Sequence, residues 1–346
     1  MARKLKISIP THPSLFDTPE GREAIHPAIE DFVIKSRAKA VEQAATPSET
    51  PLIEAISERT SAENLIFISF GSGSSGNCAY IGTRREGVLI DAGIDPDKVR
   101  DALRVNGLSF DCVKGVLLTH DHSDHVRYVY KMVRLRKNIA VYCTPKTLNG
   151  LLRRHNISRR IKDYHSPIYK EFPFQLAGMT VTAFDVSHDG TDNVGFYIEG
   201  GAHRFAVATD LGHITDRVDH YMRLARIVVI EANYDAEMLR TGPYSAYLKS
   251  RIVANNGHLD NLDTARFVGS LAINGNLEYV FLCHLSQENN LPQKALDAVS
   301  AELVRVGMGE PGDCSNSLES LGRRIKLMAL PRFECSPLMV FRPKQA

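Results

Sequence analysis

No run of apolar residues in this 346-residue chain reaches the about 18 that a bilayer-spanning helix needs, so none is expected. The start is basic (Arg3, Lys4, Lys6), but the sustained apolar segment of a secretory signal does not follow. Cysteine is sparse: the six residues 78, 112, 143, 283, 314 and 335 contain no Cys-X-X-Cys pair. Without a signal, thiols in a chain of this length are expected reduced and buried rather than bridged, which points to the cytoplasm. The loop Gly71-Ser-Gly-Ser-Ser-Gly76 lacks the Gly-Lys-Ser/Thr ending of a phosphate-binding P-loop, which excludes an NTPase of that type. Excess charge is missing as well, since 42 Lys and Arg face 40 Asp and Glu. The rest, 43% apolar and 24% charged, is ordinary globular composition, enough for one large domain or two modest ones.

Residues 1–63 carry no chemistry-bearing pattern. Ile25–Ala45 has helical spacing, Thr46–Pro51 is a breaker cluster, and Leu52–Glu58 reads as a second short helix. We take this part as an N-terminal extension, helical or partly ordered, on a main domain spanning 64–346. From Leu65 the pattern changes to strands and tight turns: 65–70, 77–81 and 88–93 read as an antiparallel meander. Helices are expected at 96–105, after the apolar run Gly115–Leu118 (with Val126, Val129, Tyr130 and Val133 on one face), at 145–154 behind Thr144, at 244–254, from about 260–263, and at 291–306. Further strands are expected at 139–143, 179–186, 194–199, 204–208, 227–231 and 279–283.

One stretch dominates the chemistry. Thr119-His-Asp-His-Ser-Asp-His125 places three histidines and two aspartates directly after a buried strand. Desolvating that many polar groups is costly unless they coordinate something. In extended chain, residues two apart point the same way, so His120 and His122 can grip one metal. Asp124 and His125 follow the bend into the helix and can face a second. Other strand-like runs end in His188, Asp210 and His284, and a fifth ends at Glu231. We assign His120, His122 and His188 to one site and Asp124, His125 and His284 to another, with Asp210 bridging. The donors suit two divalent ions, Zn²⁺ or Mn²⁺, with Fe²⁺ also compatible. Asp91, closing Val88–Ile90, is a candidate to orient a ligand imidazole from behind. A pair of metals lowers the pKa of a shared water, so a metal-bound hydroxide serves as nucleophile and no Ser or Cys is required.

The heptapeptide, with Ser187-His188, Thr209-Asp210 and Cys283-His284, resembles the metallo-β-lactamase superfamily from about Leu65 to Val306. That resemblance implies an α/β (α+β) fold, a four-layer αββα sandwich with a dinuclear site at one sheet edge. Segments including Gly71–Asn77, Leu89–Gly93, Val186–Asp189, Thr209–Gly212, Glu231–Arg240 and His284–Asn290 resemble the YycJ/WalJ-type exonuclease branch, whose members act on DNA. The Glu231, His258 and His284 segments are also similar to ribonuclease Z, which implies that His258 is the general acid and Glu231 its orienting partner. On the residues alone, His258 also has a plain alternative reading, as a residue leading into the next helix. With these two, Asp124 completes the candidate catalytic set. The chain departs from ribonuclease Z after its last metal histidine, where it reads Gln287-Glu-Asn-Asn290.

Charge distribution points the same way independently. Val126–Lys162 holds eleven Lys or Arg and no Asp or Glu. Clustered cations displace counterions from a phosphate backbone and bind it without sequence preference. Arg134, Arg136, Lys137, Arg153, Arg154, Arg159 and Arg160 are the candidate nucleic-acid contacts. The expected function is a two-metal phosphodiesterase, DNA exonuclease foremost. The alternatives are a hydrolase of a small ester, thioester or lactam, an RNA-processing nuclease, and a non-catalytic metal-bound nucleic-acid-binding protein. Expected partners are nucleic acid, DNA first, and no membrane; a homodimer is left open as the assembly.

Overall fold

The computed structural model describes residues 64–136, 138–315, 322 and 324–343. The expected helices at 25–45 and 52–58, and Lys137, lie outside the described residues. Six strands open the first sheet: β1 (Leu65–Gly71), β2 (Cys78–Gly82), β3 (Gly87–Ile90), β4 (Val113–Leu117), β5 (Ala140–Cys143) and β6 (His165–Pro167). The second sheet follows: β7 (Phe174–Leu176), β8 (Met179–Asp185), β9 (Val194–Gly200), β10 (His203–Ala208), β11 (Ile227–Glu231), β12 (Tyr279–Cys283), β13 (Gly312–Asp313) and β14 (Lys326–Ala329). β15 (Met339–Phe341) returns to the edge of the first. The strand orders are β15-β1-β2-β3-β4-β5-β6 and β13-β14-β12-β11-β10-β9-β8-β7.

Each sheet joins an antiparallel part to a parallel part. β1–β2–β3 is the expected meander, after which β3 to β6 run parallel. β7 to β10 are antiparallel, and β10, β11, β12 and β14 run parallel. Parallel strands need crossovers, which helices supply. The helices are α1 (Pro96–Val105), α2 (Ser123–Val126), α3 (Val129–Arg134), α4 (Pro145–Arg154), α5 (Asp216–Leu224), α6 (Ala236–Thr241), α7 (Ala246–Ile252), α8 (Asn261–Ile273) and α9 (Pro292–Arg305).

Period-two alternation sorts the strand side chains between two interfaces. Leu65, Phe67, Val229 and Phe281 meet between the sheets, whereas Ile66 and Ile68 face a layer containing Val99, Leu103, Val129 and Leu151 of the helices. On the other side Val228, Ile230, Val280 and Leu282 pack against Met222, Val268, Leu271 and Val299. The central strands of both sheets are therefore dry on both faces, which is why they read as continuous apolar runs, while the edge strands β6 and β7 are partly exposed. The arrangement is the four-layer αββα sandwich.

Three local differences from expectation have physical causes. The single helix expected after the motif is broken into α2 and α3. The Ala92 N–H donates to the His125 carbonyl (2.7 Å) and the Tyr128 N–H to the Ala92 carbonyl (2.9 Å), so backbone groups serve the β3 turn instead of a continuous helix. Helices α5 and α6, with Thr215 and Asp235 as caps, are not among the expected helices. Helix α5 does carry Val218, Tyr221 and Met222 at helical spacing, whereas six-residue α6 is too short for a period to show. The cysteines are free as expected, but Cys335 is exposed and Cys314 half-buried, because both lie in C-terminal segments at the sandwich margin.

Candidate metal centre

The site lies outside the carboxyl ends of the parallel strands, where side chains leave the sheets with no further strand to pair with. β3 leads to Asp91, β4 to His120, β10 to Asp210 and β12 to His284, while β11 ends on Glu231. Asp91, Asp210 and His284 each adopt left-handed backbone, with φ of 61°, 56° and 53°. That conformation costs a non-glycine residue roughly 1–2 kcal/mol. It turns the chain sharply and aims each side chain back across the sheet edge. At Gly93 an added Cβ would lie 1.6 Å from the Asp124 carbonyl oxygen, so only glycine lets the motif loop sit against the β3 turn.

His120, His122 and His188 form one group. Their outward nitrogens are held: His120 Nδ1 lies 3.0 Å from Thr119 Oγ1, His122 Nε2 3.3 Å from Asp189 Oδ1, and His188 Nδ1 donates to the Gly257 carbonyl at 3.0 Å. The inward nitrogens converge, with His188 Nε2 3.3 Å from His122 Nδ1. Asp124, His125 and His284 form the second. His125 Nδ1 donates to Asp91 Oδ2 at 2.7 Å and His284 Nδ1 to Glu231 Oε1 at 3.0 Å. Their Nε2 atoms lie 3.6 and 3.4 Å from Asp124 Oδ2. Asp210 touches both groups: Oδ1 is 3.6 Å from His188 Nε2 and 3.5 Å from His284 Nε2, and Oδ2 is 3.2 Å from His125 Nε2. Glu231 is fully buried. Its Oε1 accepts from His258 Nδ1 (2.8 Å), and its Oε2 from the Leu211 and Leu259 backbone N–H groups.

Burial disfavours charge on all these groups, yet they do not respond alike. It pushes His120 well below the usual histidine range, with His125 adding to the effect, and lowers His122, with His188 adding. At His125, burial is outweighed by Asp91, Asp210 and Asp124, which hold the imidazolium well above its usual range. At His284, burial is outweighed by Asp210, Asp124 and Glu231, and the pKa rises to about 10. Burial opposes the Asp210 carboxylate too, but His284 and His125 pull it well below its ordinary value.

A divalent ion fits this donor set. His120 Nε2 is buried with no hydrogen-bond partner, and histidine nitrogens face each other where protons would clash. The candidate ligand atoms of His120, His122 and His188 all lie within 4.8 Å of one another, as do those of Asp124, His125 and His284, and of His120, His125 and Asp210. Imidazole with carboxylate is the donor chemistry of zinc and manganese sites.

A family model described as a β-lactamase superfamily domain matches residues 86–284, from the turn before β3 to His284 itself. The chain belongs to the metallo-β-lactamase superfamily. Exodeoxyribonuclease YycJ of Bacillus anthracis is 32% identical over 251 residues, which cover 71% of this chain and 91% of that protein. Exodeoxyribonuclease WalJ of Streptococcus pneumoniae is 29% identical over 239 residues, covering 69% and 88%. Among solved structures, the metallo-β-lactamase fold protein YhfI of Bacillus subtilis superposes with a TM-score of 0.55 at 13% identity, covering 80% of this chain and 99% of that one. Zn²⁺-bound PqqB of Methylobacterium extorquens gives 0.51 at 17% identity, covering 78% and 99%. As a metallo-β-lactamase family member of the YycJ/WalJ branch, the protein is a metal-dependent hydrolase.

This family member carries a basic groove of about 550 Å³ lined by Lys146, Asn149, Leu152, Arg153, Arg159, Lys162 and Thr191. The candidate contacts divide around it. Arg153 and Arg159 line it, Arg154 reaches Asp121 Oδ1 (3.4 Å), and Arg160 is exposed on the same 3₁₀ turn, Arg159–Tyr164. Arg134 and Arg136 are not brought there: Arg134 stands over the Tyr130 ring and Arg136 pairs with Asp111. Three polar partners at the metal centre were not foreseen from the sequence. Asn77 Nδ2 lies 3.0 Å from His125 Nε2, Thr119 links Asp91 to His120, and Asp189 backs His122. Asp189 beside His188 was the available signal. Asn77 and Thr119 had none, since their partners depend on loop shape.

Proposed function

We propose that this protein is a two-metal phosphodiesterase that degrades DNA from an end. The observation that carries this reading is the basic groove joined to the candidate metal centre. Thr191, three residues after His188, lines the groove and also donates to Asp121, the residue between His120 and His122. The same donor set would serve a small ester, thioester or lactam, but a substrate of that size has no use for four cations along a groove. Among the described residues, no carboxylate lies within salt-bridge range of Lys146, Arg153, Arg159 or Lys162, which leaves their charge for a polyanion. The names of the YycJ and WalJ relatives agree with DNA as that polyanion.

His120, His122 and His188 would hold one ion and Asp124, His125 and His284 the other, with Asp210 between them. Ions bound there supply Lewis acidity and a water activated at neutral pH. Asp91 and Glu231 accept from the far nitrogens of His125 and His284 and so direct the remaining nitrogens inward, while Asp189 Oδ1 stands 3.3 Å from His122 Nε2. His258 projects into the site half-exposed, its Nδ1 fixed on Glu231, which leaves Nε2 to deliver a proton to the departing oxygen. Burial lowers its proton affinity, but Glu231 and Asp210 outweigh burial and raise it above the ordinary histidine value, which favours the protonated, donating form.

The test is incubation of the purified protein with Mn²⁺ or Zn²⁺ and end-labelled DNA. Release of mononucleotides from the labelled end is expected. Turnover confined to a thioester or lactam would sink the reading.

A further inference from the structure

Asp121 is a fully buried carboxylate that none of the proposed chemistry uses. It sits in the motif between His120 and His122, yet its side chain points away from their convergent nitrogens. Asp121 Oδ1 accepts the Thr191 N–H at 2.9 Å, and Oδ2 accepts the Thr191 hydroxyl at 2.6 Å. Arg154 of α4 approaches Oδ1 at 3.4 Å, and His155 Nε2 donates to the Asp121 carbonyl at 2.6 Å. Helix α4 comes so close at Gly150 that an added Cβ would lie 2.0 Å from Asp121 Oδ2. The other end of α4 is tied to the same loop: Thr144 Oγ1 donates to Asp192 Oδ2 at 2.6 Å and Thr147 Oγ1 to the Asp192 carbonyl at 3.1 Å. The helix that carries Lys146 and Arg153 is thus tied at its N-terminal end to the segment that carries His188 and at its C-terminal end to the motif loop that carries His120 and His122.

A carboxylate desolvated this completely is stabilised only by donors that hold it in place. Here every donor comes from the groove side and the acceptor from the metal motif. We infer that Asp121 is a positioning residue that sets the basic groove in register with the metal centre, so that a polyanionic chain bound in the groove presents its terminal phosphodiester for cleavage. This rests on the phosphodiesterase reading. It adds that productive cleavage depends on chain beyond the scissile bond, and that a residue touching neither substrate nor metal governs this dependence.

The test compares wild type with Asp121→Asn on three readouts. These are bound metal, turnover of the small diester bis-p-nitrophenyl phosphate, and cleavage of a DNA series from dinucleotide to 20-mer. Metal content and small-diester turnover should stay within about twofold. The kcat on the 20-mer should fall about tenfold or more, as misplacement by a distant group does. The Kd for the 20-mer in EDTA should hold, because the groove cations are untouched. Thr191→Val, which keeps the carboxylate and the side-chain shape, is the variant to use if Asp121→Asn does not fold, and should lower the same kcat about threefold or more. Parallel loss on small and long substrates, or loss of metal, would make Asp121 a support of the metal loop and overturn the inference. So would a weakened Kd at unchanged kcat, or no change at all. A wild type inactive on DNA would instead sink the phosphodiesterase reading, and this inference with it.

Discussion

At the scale of single residues, the candidate site is a competition between burial and charge. Asp210 is the residue on which the two groups converge, with imidazoles of both within 3.6 Å. Asp210→Ala would leave those imidazoles facing one another and remove a donor from both groups. We expect bound metal to drop and turnover to fall about 100-fold or more, checked by metal analysis alongside a nuclease assay. Retained activity would exclude Asp210 from a bridging role. His258 is different: its ring lies beside those of His188 and His284, but its Nδ1 is bound to Glu231 at 2.8 Å. His258→Ala is expected to keep metal content while lowering kcat by about 10²–10⁴-fold, the range of a general acid. If metal and kcat fall together, His258 is a ligand and not an acid.

At the scale of elements, two glycines permit close approaches to the motif loop. Gly93 lets the β3 turn meet the motif loop, and Gly150 lets α4 meet Asp121. For Gly150→Ala two effects oppose. Alanine in a helix interior gains about 1 kcal/mol over glycine. Forcing a methyl group to within 2.0 Å of Asp121 Oδ2 costs about 1–3 kcal/mol and cannot be relieved by the buried carboxylate, which Thr191 holds on both oxygens. The clash should win, so thermal denaturation of Gly150→Ala is expected at a lower temperature than wild type. A rise in Tm would mean that α4 shifts freely, and would weaken the clasp as a rigid device. The helix break between α2 and α3 belongs to this scale too. Val126, Val129 and Val133 show helical spacing and all are buried, but the spacing holds no trace of the two backbone bonds to Ala92 that interrupt the helix.

At the scale of the whole molecule, metal and polyanion should act as ligands of the folded state. Adding Zn²⁺ or Mn²⁺ at about 100 times its Kd should stabilise the fold by about 2.7 kcal/mol for each ion bound, and chelation should reverse this, measured as a shift in Tm. No shift would contradict an ion held by buried imidazoles and carboxylates. Replacing Arg153 and Arg159 together by alanine should weaken DNA binding at low salt. It should also reduce the slope of log affinity against log salt by about 0.7–0.9 for each phosphate that is no longer neutralised. Unchanged affinity and slope would make the groove a solvated surface and nothing more.

What is encoded locally was legible in the chain itself. His120, His122, Asp124 and His125 are brought together by spacing within one loop, and the strand that delivers them is legible because both its faces are apolar. The parallel strands ending at Asp210, Glu231 and His284 are legible for the same reason, and the αββα arrangement follows from matching those segments to a known family. Which distant groups meet was decided by the tertiary fold alone. The pairing of Asp124 with His284 spans 160 residues, and that of Asp121 with Thr191 spans 70. The left-handed turns at Asp91, Asp210 and His284, the backing of His122 by Asp189, and the division of the basic residues into a groove and a remainder all depend on how two sheets stack. Side-chain type and spacing specify which chemistry a loop can perform. They do not specify which loop will face it, because that is set by packing across the whole sandwich.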